Sequence, residues 1–145
     1  MTSILALDHG SRRIGVAIGD TRTGIAFARP ALQRRNEDRD LATIRDLCRT
    51  EGVRRVILGL PLNMDGSEGA QAAAVRSFGT GLVRIGLEVV YEDERLTSWE
   101  AGERLAEAGR RPRRATGELD STAARLILQQ YLDARRLPDR GEETE

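Results

Sequence analysis

Over the first twenty positions the apolar residues fall in two runs separated by a glycine turn. Ile4, Leu5, Ala6 and Leu7 are unbroken, the pattern of a strand covered on both faces. Ile14, Val16 and Ile18 then alternate with Gly15, Ala17 and Gly19, which predicts a hairpin partner. Ile25-Ala26-Phe27-Ala28 predicts a third short strand, stopped by Pro30. From Glu37 to about Glu51 the period becomes helical: Leu41, Ile44, Leu47 and Cys48 share one face, Asn36 is placed to cap the start and Gly52 to end it. Arg55 to Leu60 predicts a buried strand, and Pro61 to Ser67 is a loop rich in turn residues. A second helix is expected from about Glu68 to Arg84, a fifth strand from Leu87 to Tyr91, a helix capped by Ser98 through about Ala108, and a last helix from Leu119 to about Arg136.

Three strands joined by tight turns, followed by alternating helices and strands, predict an α/β fold. Its mixed five-stranded sheet, three antiparallel strands then parallel ones, would be flanked by helices, as in the ribonuclease H-like layout. No repeat or linker divides the chain, so residues 1–137 are expected to form one domain and the acidic stretch 138–145 a flexible tail. A chain of 145 residues is near the commonest domain size and long enough to bury roughly 70% of its unfolded surface. That layout serves nucleases, transposases and sugar kinases alike, so the site must decide the function.

Composition narrows the setting. Cys48, the single cysteine, cannot form an internal disulfide and falls on an apolar helix face, the pattern of a reduced intracellular protein. The N-terminus runs straight into the first strand, and no apolar run approaches the roughly 18–20 residues of a membrane span. A cytoplasmic location without a membrane partner is expected. Basic and acidic residues balance at 23 each, so bulk charge does not advertise a nucleic-acid binder. All 23 basic residues are arginine, however, and Arg110, Arg111, Arg113 and Arg114 cluster around Pro112, as a solvated loop or as a flank for phosphates.

Ligands of α/β sheets bind beyond the carboxyl ends of the strands, and acidic residues collect there. The first strand ends at Asp8, and the fifth runs into Glu92-Asp93-Glu94-Arg95. Asp120 falls in the first turn of the last helix, with Ala123, Ala124, Ile127 and Tyr131 at helical spacing behind it. Alone, Asp8 reads equally well as a turn residue and Asp120 as a favourable charge at a helix start. Three carboxylates gathered on one surface would repel unless a cation neutralised them, and Mg²⁺ or Mn²⁺ fits. Asn63 and Ser67, in the loop after the fourth strand, could hold a backbone phosphate or form an ordinary capped loop. Arg95 could pair with a scissile phosphate or brace the acids. His9 reads as a structural turn residue rather than a general base, and Trp99 as packing. No aromatic stacking platform is evident, so nucleic-acid binding would rest on backbone contacts.

Asp8-His9-Gly10 with Arg13-Ile14-Gly15-Val16-Ala17, the segment from Gly59 to Glu68, Asp93-Glu94-Arg95-Leu96-Thr97-Ser98 and Asp120-Ser121-Thr122-Ala123-Ala124 together resemble the YqgF/RuvX family. The motifs occur in order and span the chain from Ile4 to Leu132; the Gly59 to Glu68 segment is the most specific. The resemblance implies a ribonuclease H-like fold related to the RuvC resolvases and a nuclease maturing the 5′ end of small-subunit (16S) ribosomal RNA. It implies catalytic, metal-holding acids at Asp8, Glu94 and Asp120. Glu94 is preferred to Asp93 because the related resolvases carry a glutamate just past this strand and side-chain alternation lets only one neighbour face Asp8. Two ions roughly 3.5–4 Å apart would be bridged by Asp8, one activating water and the other stabilising the leaving oxygen. Ser121-Thr122 departs from the family, where bulkier apolar residues are expected. A resolvase-like nuclease of branched or single-stranded DNA and a catalytically silent ribosome-assembly factor are the alternatives, and a homodimer is compatible with either. An actin-like or sugar-kinase ATPase would need two such lobes, and this length supplies one.

Overall fold

The computed structural model describes residues 2–94 and 118–135, with side chains over 2–94 and 121–135. The apolar run that opens the sequence becomes β1 (Ser3–His9), the central strand of a sheet ordered β3-β2-β1-β4-β5. Its hairpin partner β2 (Arg13–Asp20) and then β3 (Ile25–Gln33) add antiparallel on one side. On the other side β4 (Val53–Leu60) and β5 (Glu88–Asp93) run parallel to β1. Helices α1 (Glu37–Glu51) and α2 (Ala70–Arg84) cover one face, and α3 (Glu118–Arg135) covers the other.

Alternation along β1 explains why its run is unbroken. Leu5 and Leu7 enter the core beneath α1 and α2, with Ile44, Val56, Leu58, Phe78 and Leu82. Ile4 and Ala6 enter a second core beneath α3, with Ala17, Ile57, Ala124, Ile127, Leu128 and Tyr131. Helix α3 has a defined direction across this face. Its residues Leu128 and Leu132 lie against Gly19, which pairs with Ile4, whereas Ser121 accepts from the Val16 amide (3.5 Å) and donates to the Arg29 carbonyl (2.6 Å). Val16 pairs with Leu7, so the start of α3 lies toward the carboxyl end of β1, one residue from Asp8. Near its other end, Tyr131 accepts from Arg55 (2.7 Å), itself forked onto Glu88 at 3.0 and 3.1 Å.

Helix α1 has the expected limits. Asn36 accepts from the Arg39 amide at 2.9 Å, and Gly52 closes the helix at a left-handed φ of 71°. Cys48 is buried, and burial pushes its thiol pKa up to about 11. Strands β4 and β5 start or end a few residues from their expected limits. Two expectations need correction. Pro30 does not stop β3, because β3 is an edge strand and its register slips there. Ile14 pairs with Leu32 and Val16 with Arg29, leaving Pro30 and Ala31 opposite Gly15, a bulge where a missing N–H costs no ladder bond. Helix α2 begins at Ala70, two residues from its expected start, and ends at Arg84 as expected, but Ser67 does not cap it; Gly69 occupies the cap position without a side-chain bond. The expected helix at 98–108, with Trp99, and the tail at 138–145 lie outside the described residues. Among the described residues no helix is long and apolar enough to cross a membrane.

Candidate active site

Asp8 continues the face of Ile4 and Ala6, so its carboxylate lies on the α3 side, just beyond the core. On the neighbouring strand, Leu58 pairs with Leu7, which puts Gly59 beside Asp8. Gly59 is the most informative residue of the site. A Cβ there would run into Oε1 of Glu94 and would stand 2.6 Å from Cδ1 of Ile127. The Glu94 carboxylate therefore lies over the bare backbone of β4, in the space any other residue would fill. Its own amide donates to the Leu60 carbonyl at 3.3 Å, extending the β4–β5 ladder by one step.

Alternation along β5 sorts the three consecutive acids. Tyr91 belongs to the α1/α2 core and Val90 to the α3 core, so Asp93 falls on the first side, exposed, and Glu92 and Glu94 on the second. Glu92 is half-buried, and burial, helped by Asp93 and opposed by Arg135, raises its pKa. Position 120 falls in the first turn of α3, on the same helical row as Ala124, Ile127 and Tyr131, all buried against the sheet. The side chain of Asp120 is outside the described residues. Among the described residues no three acid, histidine or cysteine side chains come together as a metal-holding group; the acids on the α3 side at this end of the sheet are Asp8 on β1 and Glu92 and Glu94 at the end of β5.

Across the sheet edge His9 points the other way, with its ring 4.7 Å from that of Phe78. Burial and the Arg34 charge lower its pKa, so the imidazole is neutral, a packed turn residue. The turn that follows Asp8 is tied down from beneath. Arg34 donates to the Gly10 carbonyl (2.9 Å) and to buried Asp40 (3.0 Å), which also accepts from the Arg35 amide (3.1 Å). Sequence reading passed over Asp40, whose position on the inward face of α1 was the available signal.

The loop after β4 is exposed and bonded to itself. Asn63 Nδ2 donates to Ser67 Oγ (2.9 Å), and Ser67 donates from both its amide (2.9 Å) and its hydroxyl (2.6 Å) to Asp65. Gly66 turns the chain at a φ of 88°. Glu68 forks onto Arg76 at 2.8 and 2.7 Å. These side chains hold the loop in shape beside the carboxyl end of β4. Arg95, Arg110, Arg111, Arg113 and Arg114 lie outside the described residues.

A family model described as "RuvX: Holliday junction resolvase" matches residues 2–134. The chain belongs to the RuvX family. It is 44% identical over 137 residues to a protein of Chloroflexus aggregans named "Putative pre-16S rRNA nuclease", covering 94% of this chain and 96% of that one. A protein of the same name from Moorella thermoacetica is 45% identical over 131 residues, 90% and 94% of the two chains. Among solved structures, T. thermophilus RuvC in complex with a Holliday junction substrate superposes with a TM-score of 0.58 at 14% identity, covering 93% and 96% of the two chains. The fowlpox virus Holliday junction resolvase gives 0.56 at 16%, covering 92% and 99%. At such identities the likeness is one of fold, the ribonuclease H-like sheet expected from the element order. This RuvX chain is a nuclease, an enzyme that hydrolyses phosphodiester bonds.

Proposed function

We propose that this RuvX nuclease acts in the cytoplasm on the precursor of 16S ribosomal RNA, trimming its 5′ end with Asp8, Glu94 and Asp120 as the catalytic acids. The observation that carries the reading is the seating of Glu94 over Gly59, beside Asp8. A side chain at position 59 would close that space, which the Glu94 carboxylate shares with the buried Ile127 side chain.

The donor set is hard oxygen, suited to Mg²⁺ or Mn²⁺ rather than to softer metals. Asp8, Glu94 and Asp120 would hold such ions, two in number. When bound, they supply an activated water and stabilisation of the leaving oxygen. The chain's own contribution is positional. The central strand and its clamped turn fix Asp8, and the bare backbone at Gly59 fixes Glu94. The first turn of α3 brings Asp120 to the same end of the sheet. Arg95 and the cluster Arg110, Arg111, Arg113 and Arg114 would flank the RNA backbone, and the Asn63 and Ser67 loop would shape the groove.

The test uses purified protein with Mn²⁺, an RNA spanning the precursor 5′ end and a four-way DNA junction. Cleavage of the RNA at the mature end, lost in Asp8→Asn, is the expected result. Cleavage of the junction alone would favour the resolvase reading. Cleavage of neither, without a Mn²⁺-dependent rise in melting temperature, would favour a silent assembly factor. Replacing the four clustered arginines by serine should reduce the salt slope of single-strand binding by about 0.7 for each lost phosphate contact.

A further inference from the structure

On the opposite side of the β1 end from Asp8 and Glu94 lies a cleft of about 310 Å³ lined by His9, Gly10, Ser11, Arg34, Gln71 and Ala74. None of these residues belongs to the acid set. The cleft opens at the carboxyl end of the sheet, where a strand of nucleic acid crossing the acids would next arrive. We propose that it is a nucleobase pocket, taking the unpaired base of a nucleotide next to the scissile phosphate.

Three observations favour a base over a phosphate. Arg34, the one arginine among the described lining residues, is committed to Asp40 at 3.0 Å and to the Gly10 carbonyl at 2.9 Å, so its charge is already balanced. The polar groups that remain among the described lining, the Gln71 amide, the Ser11 hydroxyl and the acceptor nitrogen of His9, whose ring N–H bonds its own backbone, supply both donors and acceptors, as the edge of a base requires. Gly10 and Ala74 leave the walls low enough for a flat ring, and the volume sits at the small end of the roughly 300–1,000 Å³ of ligand pockets. Because His9 follows Asp8 directly, a base seated here would set which phosphate reaches the acids.

This inference rests on the nuclease acting on an unpaired strand, and two readouts keep the two readings apart. Ala74 is exposed on α2, so Ala74→Phe fills the cleft without entering the core; Gln71→Leu removes the amide while keeping its bulk. With 2-aminopurine placed in turn at each position of a single-stranded RNA, binding should change the fluorescence at one position, and both variants should abolish that change. On the precursor RNA, an abasic spacer beside the cleaved bond should slow the wild type by roughly tenfold, about the worth of one hydrogen bond or one packed base. Ala74→Phe should be slowed as much on the intact RNA and no further on the abasic one. A fluorescence response that survives both variants, no response at any position, or additive losses would overturn the pocket. Loss of RNA cleavage with the fluorescence response intact would overturn the substrate reading and leave the pocket standing.

Discussion

The two faces of the sheet are built from different materials. Beneath α1 and α2 the core is large and apolar, with Leu5, Leu7, Leu58, Phe78 and Leu82, and beside it the partly exposed Arg34 pairs with the buried Asp40. Beneath α3 the sheet contributes small residues, Ala6, Ala17 and Ala26, and two glycines over which other side chains lie. A Cβ on Gly19 would stand 3.0 Å from Leu132 and 3.1 Å from Leu128, and one on Gly59 would displace Glu94. The first face supplies stability by volume, and the second gives up volume so that a helix and a carboxylate can come close to the strands. The proposed acids Asp8 and Glu94 sit on the face that gave up volume.

The comparison breaks most visibly at Asp8. Asp8→Asn keeps the shape of the side chain and removes its charge. Activity should fall more than about 100-fold, beyond what loss of a mere supporting partner costs, while the thermal melt holds. Full activity of the variant under Mn²⁺ would move the chemistry off the α3 face altogether.

Removing Asp40 tests the opposite face, where an effect should be read in stability. Asp40→Ala leaves the Arg34 guanidinium, about a quarter exposed, without its partner and the Arg35 amide without its acceptor. A loss of about 3 kcal/mol is expected in urea unfolding, the low end for a broken buried pair. The freed Gly10 turn should also lower turnover. A loss under about 1 kcal/mol would show the clamp to be ornamental.

A matched pair of glycine substitutions sharpens the contrast. Gly59→Ala and Gly79→Ala both force a side chain aside, Glu94 in the first case and Tyr91, with Leu58 at 3.1 Å, in the second. Each should cost roughly 1–3 kcal/mol as overpacking. Only Gly59→Ala should lose activity beyond that explained by unfolding. Equal activity in the two variants, measured well below their melting temperatures, would detach Glu94 from catalysis.

How much of this was legible depended on whether a signal was local. The α1 limits followed from Asn36, the period of its apolar residues and Gly52, all of which act within a turn of themselves. The order of strands followed from runs and turns. Pro30 misled because an edge strand with a bulge tolerates it, and being at an edge is a property of the sheet rather than of the segment. Ser67 misled because the helix begins at Ala70 with Gly69 in the cap position, and the Ser67 oxygen accepts from Asn63 within the loop instead. Gly59 was quoted in a motif without a reason, since the atom that needs the space belongs to a residue 35 positions later. Asp40 showed its burial in its place on the inward face of α1 but not its role: its partner, Arg34, matters through the Gly10 carbonyl, which only the fold brings near.

The smallest effect is expected at Glu92, on the α3 face beside Gly59 and outside the proposed acid set. Burial raises its pKa above the ordinary 4.5, so the folded state disfavours the charged form. The stability it contributes is complete below pH 4.5 and is lost as the pH rises through the folded value. At neutral pH the carboxylate is therefore a small burden, partly relieved by Arg135 and screened by solvent. Glu92→Gln should raise the melting temperature by about 1–2 °C at pH 7, roughly 0.5 kcal/mol, with the gain shrinking to nothing below pH 4.5. Activity should be kept, because the amide occupies the same half-buried place. A large loss of activity would instead enrol Glu92 among the working acids, and a gain that grew toward acid pH would reverse the sign of its burial effect.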